Sequence, residues 1–246
     1  MRIGIISDLH SNPDALQAVF NEFDKRGVEK MLLLGDIIGI GHRPEDCVQL
    51  LMTRKDKLLG AVRGNHESYC LIELPKYSHS TGTHEPIHPE VLRYFKWNHA
   101  QLSESSTEFL KTLAKEQTVE TDGATIYLTH YPFGEDGKYL RYIAKPNAAE
   151  CAELFASHDA DVYLFGHTHY LEEIHEGGKH YINPGCVGCP IETNSASAGI
   201  LDINNGEISY ERIDAAYDIE KVIRETEALI PEYPAAAHML HEFYRK

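Results

Sequence analysis

Arg2-Ile3-Gly4-Ile5-Ile6-Ser7-Asp8-Leu9-His10-Ser11-Asn12 is a short apolar run that stops at a carboxylate, with an imidazole following one residue further on. The run is too short to span a membrane or to form the core of a signal peptide, and it reads as a buried strand of an α/β sheet. In open α/β sheets ligands bind beyond the carboxyl ends of the strands, which is where Asp8 and His10 fall. If strand alternation continues, both side chains point the same way and reach one metal ion. Asp, Ser and Asn also favour turns, so this spacing alone leaves a plain turn open.

The arrangement recurs down the chain. Asn12 and Pro13 open a helix with Leu16, Val19, Phe20 and Phe23 on one face and Gly27 past its end. Lys30-Met31-Leu32-Leu33-Leu34 then runs into Gly35-Asp36, the second parallel strand of a βαβ unit. A helix from about Pro44 to Arg54 leads to Leu58-Leu59-Gly60-Ala61-Val62-Arg63, which ends in Gly64-Asn65-His66-Glu67. Further on, Thr125-Ile126-Tyr127-Leu128-Thr129 delivers His130, and Asp161-Val162-Tyr163-Leu164-Phe165 delivers Gly166-His167-Thr168-His169. Hairpins are signalled at Asp122-Gly123, at Gly177-Gly178 and near Asn204-Asn205-Gly206. Residues 68–102 lose the apolar period and read as an inserted lid, with helical segments near Glu90–His99 and Thr107–Lys115. Residues 133–147 form a second irregular stretch, and residues 217–246 form a helical tail. The whole chain, 1–246, reads as one domain carrying this insertion.

The strand ends together supply Asp8, His10, Asp36, Asn65, His66, His130, His167 and His169. A purely structural sheet has no use for such residues at successive turns, and paired imidazoles beyond Gly166 have little packing value. Mixed imidazole, carboxylate and amide ligands suit Mn²⁺, Fe²⁺, Zn²⁺ or Ni²⁺, and the lack of thiolate among them argues against a structural zinc site. Two such ions roughly 3.5–4 Å apart would clamp a phosphoryl group and turn a bridging water into a hydroxide for in-line attack. Asp36 is suited to bridge them.

Composition narrows the function. A formal net charge of −15 opposes nucleic-acid binding, which draws on Lys and Arg against phosphates, while a small phosphorylated substrate drawn by metal ions remains compatible. No apolar stretch approaches the roughly 20 residues of a transmembrane helix, so no membrane is expected and the cytoplasm is the expected compartment. The five cysteines are expected to be reduced. Of these, Cys186-x-x-Cys189 reads as small packing residues rather than a redox or zinc pair. A homo-oligomer is compatible with the sequence.

Ser7-Asp8-Leu9-His10-Ser11-Asn12, Gly35-Asp36-Ile37-Ile38-Gly39, Gly64-Asn65-His66-Glu67, Thr129-His130 and Gly166-His167-Thr168-His169 resemble, in order, the five blocks of the calcineurin-like metallophosphoesterase superfamily. The likeness is greatest to its small prokaryotic phosphodiesterases similar to diadenosine tetraphosphatases. The resemblance implies a four-layer α/β/β/α sandwich and a phosphodiesterase or phosphatase acting on a small nucleotide-like substrate. It implies two divalent ions, Mn²⁺ favoured, one held by Asp8, His10, Asp36 and His169 and the other by Asp36, Asn65, His130 and His167. His66 would stay off the metals and stabilise transition-state charge or protonate the leaving oxygen. The chain departs from the family in having Ser11 where a glycine is usual, in lacking the Asp-Arg-Gly of protein phosphatases after Gly35, and in carrying Tyr131-Pro132-Phe133 after His130. Arg43, Arg63 and Arg141 are candidates for the missing positive charge, with Arg43 and Arg141 preferred. Two other functions stay open: a scaffold that keeps the fold without catalysis, which the presence of His66 opposes, and a nuclease, which the acidic balance opposes.

Overall fold

The computed structural model describes residues 1–76 and 86–244. Two mixed five-stranded sheets stack face to face between helices. The first has the order β10-β9-β1-β2-β3, built from β1 (Arg2–Ile6), β2 (Lys30–Leu33), β3 (Leu58–Ala61), β9 (Ala196–Asn204) and β10 (Glu207–Ala215). The second has the order β4-β5-β6-β8-β7, built from β4 (Glu116–Thr121), β5 (Ala124–Thr129), β6 (Val162–Leu164), β7 (Leu171–Glu176) and β8 (Lys179–Pro184). β1, β2 and β3 are mutually parallel, as are β5, β6 and β8, and the remaining strands add antiparallel edges.

Strand alternation explains the layers. Ile3, Ile5 and Leu32 face inward and meet Ile126, Leu128, Val162, Leu164 and Ile182 of the opposite sheet. Ile6, Met31 and Leu33 face outward onto the apolar sides of α1 (Pro13–Lys25) and α2 (Pro44–Met52). Tyr163 and Tyr181 of the second sheet cover α6 (Ala148–Leu154) through Cys151 and Leu154. Each fully buried Val, Leu or Ile contributes about 1.5–3 kcal/mol, so the sandwich core alone makes a rigid base for the loops at its rim.

The first helix forms as its sequence demands: Asn12 Oδ1 accepts from Ala15 N (3.1 Å), Pro13 takes the first position, and Gly27 turns out of the helix at φ 67°. The helix expected near Thr107–Lys115 is instead α5 (Glu104–Lys111), because Ser103 Oγ accepts from Ser106 N and starts it earlier. The insertion at 68–102 comprises the end of α3 (Asn65–Leu71) and α4 (Pro89–Ala100), the helix expected near Glu90–His99, while residues 77–85 lie outside the described residues. The tail folds as α7 (Ile219–Glu227) and α8 (Ala235–Phe243). α8 packs on α4 in a separate core with Cys186 and Cys189, both buried, which agrees with a packing role for that pair. Among the described residues no helix is long and apolar enough to cross a membrane.

Candidate active site

The ligand-type residues do converge, by a route different from strand alternation. β1 stops at Ile6, and Asp8 (φ 55°), His10 (42°) and Ser11 (55°) then turn left-handed, as do Asp36 (51°), His167 (68°) and His169 (62°). The other non-glycine residues described with positive φ, Asp122 and Asn205, sit in hairpin turns. A left-handed non-glycine residue costs about 1–2 kcal/mol, and such strain persists only where the surroundings impose it. Here a backbone ladder imposes it: Asp8 N, His10 N and Ser11 N donate to the carbonyls of Gly35, Asp36 and Ile37 at 3.0, 2.9 and 2.9 Å. The loop after β1 is thereby zipped to the loop after β2.

Glu67, fully buried, fixes the next junction. One carboxylate oxygen accepts from Asp36 N and Gly64 N (both 2.8 Å), and the other from Ile37 N (2.8 Å) and Ile38 N (3.2 Å). The carboxylate therefore clamps the loops after β2 and β3 together. Two glycines are needed for closeness: a Cβ on Gly166 would stand 2.0 Å from Ser7 Oγ and 2.7 Å from Asp8 Oδ2, and one on Gly39 (φ 118°) would strike the His66 ring.

At the centre, His10 Nε2 and His169 Nε2 face each other at 2.9 Å. Asp8 Oδ1 lies 3.3 Å from His169 Nε2 and 3.6 Å from His10 Nε2, buried and with no hydrogen-bond partner. Asp36 Oδ2 lies 3.2 Å from His130 Nε2 and 3.9 Å from His10 Nε2, between the two groups, and His130 Nε2 is 3.2 Å from Asn65 Oδ1. The far side of the rings fixes their tautomers. His130 Nδ1 points at Leu34 O (2.7 Å) and His10 Nδ1 at Ile38 O (3.3 Å), so in its neutral form each ring would donate outward and present an Nε2 lone pair inward. Lone pairs and an unpartnered carboxylate oxygen aimed at one point are the donor set of a cation site. Asp36, His130 and His167 form a second close group, and His10, Asp36 and His66 a third.

The electrostatics agree. Burial opposes charge on Asp8 and Asp36, yet the surrounding imidazoles hold both carboxyl groups well below their ordinary range. Burial likewise opposes a charge on His130, but Asp36 and Asp8 outweigh it and push the ring up to about 9. Two buried carboxylates thus draw positive charge into the cluster. His66 projects from the start of α3, its ring edge-on to His10 (5.2 Å) and against Phe95 (5.0 Å), with a buried, unpartnered Nδ1.

The arginines lie elsewhere. Arg43 is held by Asp46 (2.8 Å) and Asp14 (2.9 Å) at the start of α2, and Arg141 lines a separate cavity of about 190 Å³ with Leu140 and Leu154. Neither they nor Arg63 line the cavity of about 510 Å³ that opens over the histidines. That α8 and Tyr142 wall this cavity is not legible in the sequence, since an amphipathic helix does not say which surface it covers. Cys186, read from the sequence as a packing residue, also borders the site, its sulfur lying within 4.8 Å of ligand atoms of His10 and His169.

Comparison with known proteins places this arrangement. Residues 1–206 match the calcineurin-like phosphoesterase superfamily domain. Protein MJ0912 of Methanocaldococcus jannaschii is 30% identical over 250 residues, covering 89% of this chain and 89% of that protein. The phosphodiesterase YfcE of Escherichia coli K12 is 25% identical over 211 residues, covering 82% and 88%. The crystal structure of a metallophosphoesterase from Sphaerobacter thermophilus superposes with a TM-score of 0.72 at 27% identity over 98% of each chain. The chain belongs to the calcineurin-like phosphoesterase superfamily, hydrolases of phosphoester bonds.

Proposed function

We propose that the protein is a phosphodiesterase of the cytoplasm that acts on small organic phosphate esters with two divalent cations, Mn²⁺ preferred. The observation that carries this reading is Asp8 Oδ1, buried without a hydrogen-bond partner and facing two imidazole nitrogens 2.9 Å apart. Asp8, His10, Asp36 and His169 would hold one ion, and Asp36, Asn65, His130 and His167 the other. Asp36 is placed to serve both, since its Oδ2 faces His130 and His10 at once. Bound there, the ions would supply Lewis acidity and a water acidified towards neutral pH.

The chain's own groups do the rest. His10 and His130 are locked by backbone carbonyls, so they bind without reorganising. Asp36 Oδ1 accepts from His66 N (2.9 Å), which couples the carboxylate that would serve both ions to the backbone of a residue lining the cavity. The His66 ring, free of the ligand clusters' backbone anchors, offers an N–H to charge developing on the leaving oxygen. The name of YfcE as a phosphodiesterase supports the choice of a diester.

The test is metal content with turnover. Protein loaded with Mn²⁺ should hold about two ions by elemental analysis and hydrolyse a nitrophenyl phosphodiester. His66→Gln should retain both ions while kcat falls by about 10²–10⁴ on esters with alkyl leaving groups. A protein holding two ions and inactive on every ester would point to the scaffold instead.

A further inference from the structure

The cavity above the site is made differently from its floor. Its floor is ionic, but its walls are apolar: Val91 and Phe95 from α4, Met239 and Phe243 from α8, with Ile40 and Ile191 between. Among the described residues that line it there is no Lys and no Arg. The charged side chain in its wall is acidic, Glu242, whose carboxylate lies 3.3 Å from His238 Nε2. Basic residues of adjoining segments are engaged elsewhere: Lys145 lies over the Tyr170 ring and pairs with Glu192, and Arg93 lies over Tyr233. Residues 77–85 contribute no Lys or Arg to the sequence, and Arg245 and Lys246 follow α8 outside the described residues.

Charge decides what such a cavity accepts. A polyphosphate chain brings about one negative charge per phosphate, and each phosphate beyond the reacting one would lose hydration without a cation to replace it. The net charge of −15 adds repulsion at long range. An uncharged apolar group meets no such penalty, and a volume of about 510 Å³ falls within the roughly 300–1,000 Å³ of small-molecule sites.

We propose that the substrates are phosphodiesters of single negative charge in which one alcohol is a bulky apolar or aryl group, and that this group sits between α4 and α8. The proposal rests on the phosphodiesterase reading above and names its substrate class. α8 lies beyond residue 206, where the match to the family domain ends, so this wall is built outside that matched segment. It is also fixed in place. The Phe243 ring lies 5.7 Å from that of His169, and next to it the Tyr244 hydroxyl donates to Gly188 O and accepts from Asn12 Nδ2 (3.5 Å). The helix end is thereby pinned to the loops that carry the site, which makes α8 a specificity wall and not a lid.

The experiment uses the full chain loaded with Mn²⁺ and three probes: methyl p-nitrophenyl phosphate, phenyl p-nitrophenyl phosphate and a dinucleoside tetraphosphate. The two nitrophenyl esters share a leaving group and differ in the group the walls would hold. After division by their rates in alkali, kcat/KM should favour the phenyl ester by about tenfold or more, chiefly through KM, and the tetraphosphate should be the poorest. Val91→Asn on the half-buried face of α4 and Met239→Gln on α8 should each lower the phenyl-to-methyl ratio by about fivefold, and Met239→Leu should restore it. A corrected wild-type ratio near one, or preference for the tetraphosphate, would overturn the proposal and leave the phosphodiesterase reading standing. Failure to hydrolyse either nitrophenyl ester with ions bound would bring down both.

Discussion

Ser11 shows how the site dictates residue choice. Its backbone sits at φ 55°, a conformation that suits glycine, and Ser11 N donates to Ile37 O across the loop junction. The side chain offsets part of that strain, because Ser11 Oγ accepts from Gly39 N (3.1 Å) and from Asn98 Nδ2 (3.4 Å), tying α4 to the loop after β2. Gly39 N has a second acceptor in Asn98 Oδ1 (3.2 Å), so removing the hydroxyl does not orphan it. The strain and the hydroxyl can therefore be separated. Ser11→Ala keeps the strain and loses the hydroxyl, whereas Ser11→Gly loses both. The glycine variant should be the more stable by about 1 kcal/mol, or roughly 2–4 °C in Tm for a chain of this size. Thermal unfolding of the two variants checks this, and an alanine variant at least as stable would mean that backbone handedness does not constrain the position.

Glu67 ties the loop after β2 to the start of α3. Its oxygens take four backbone N–H groups from the loop after β2 and the start of α3. In Glu67→Gln one oxygen becomes an amide that faces two N–H donors it cannot satisfy. With one to three kcal/mol for each unsatisfied buried group, the loss should be on the order of 3 kcal/mol, and metal affinity should drop about 10–100-fold because Asp36 and Asn65 lose their support. Denaturant unfolding and metal titration would measure the two, and unchanged affinity would show that the clamp does not position the ligands. Much of this architecture was readable from the chain: apolar runs ending in glycine and a ligand, such as Leu34-Gly35-Asp36, mark both the strand and its functional end. What was not readable depends on partners distant in sequence. The turn of Asp8 to φ 55° is set by a bond to Gly35 O, and the cavity wall is set by where α8 lands. The apolar face of α8 shows in the sequence, but its destination does not. The candidate arginines failed to reach the cavity for a related reason, since acidic neighbours such as Asp14 claim Arg43 in the folded chain.

Across the whole molecule, the ligand-type residues come from both sheets. Asp8, His10, Asp36 and Asn65 follow β1, β2 and β3, while His130, His167 and His169 follow β5 and β6, so the contacts Asp8–His169 (3.3 Å) and Asp36–His130 (3.2 Å) cross from one sheet to the other. These are the parallel strands, whose carboxyl ends share one rim. The antiparallel edge strands contribute none of these residues. At the opposite rim the sheets are tied differently, by the Met1 ammonium on Asp122 (2.7 Å). Cations held at the first rim would therefore act as a cross-link between sheets, an effect distinct from their chemistry. Saturation at about 100 times Kd stabilises a folded chain by about 2.7 kcal/mol, which for this size means a rise in Tm of roughly 5–10 °C, reversed by chelator. The cross-link also has a spatial signature that simple ligand stabilisation lacks. Amide exchange should slow at Asp8–Ser11 and at Gly166–His169 together, while the hairpin at Asp122-Gly123 on the far rim changes little. Protection confined to the loops of one sheet would mean that the ions do not bridge the sandwich, and would return the cross-sheet histidines to a purely structural role.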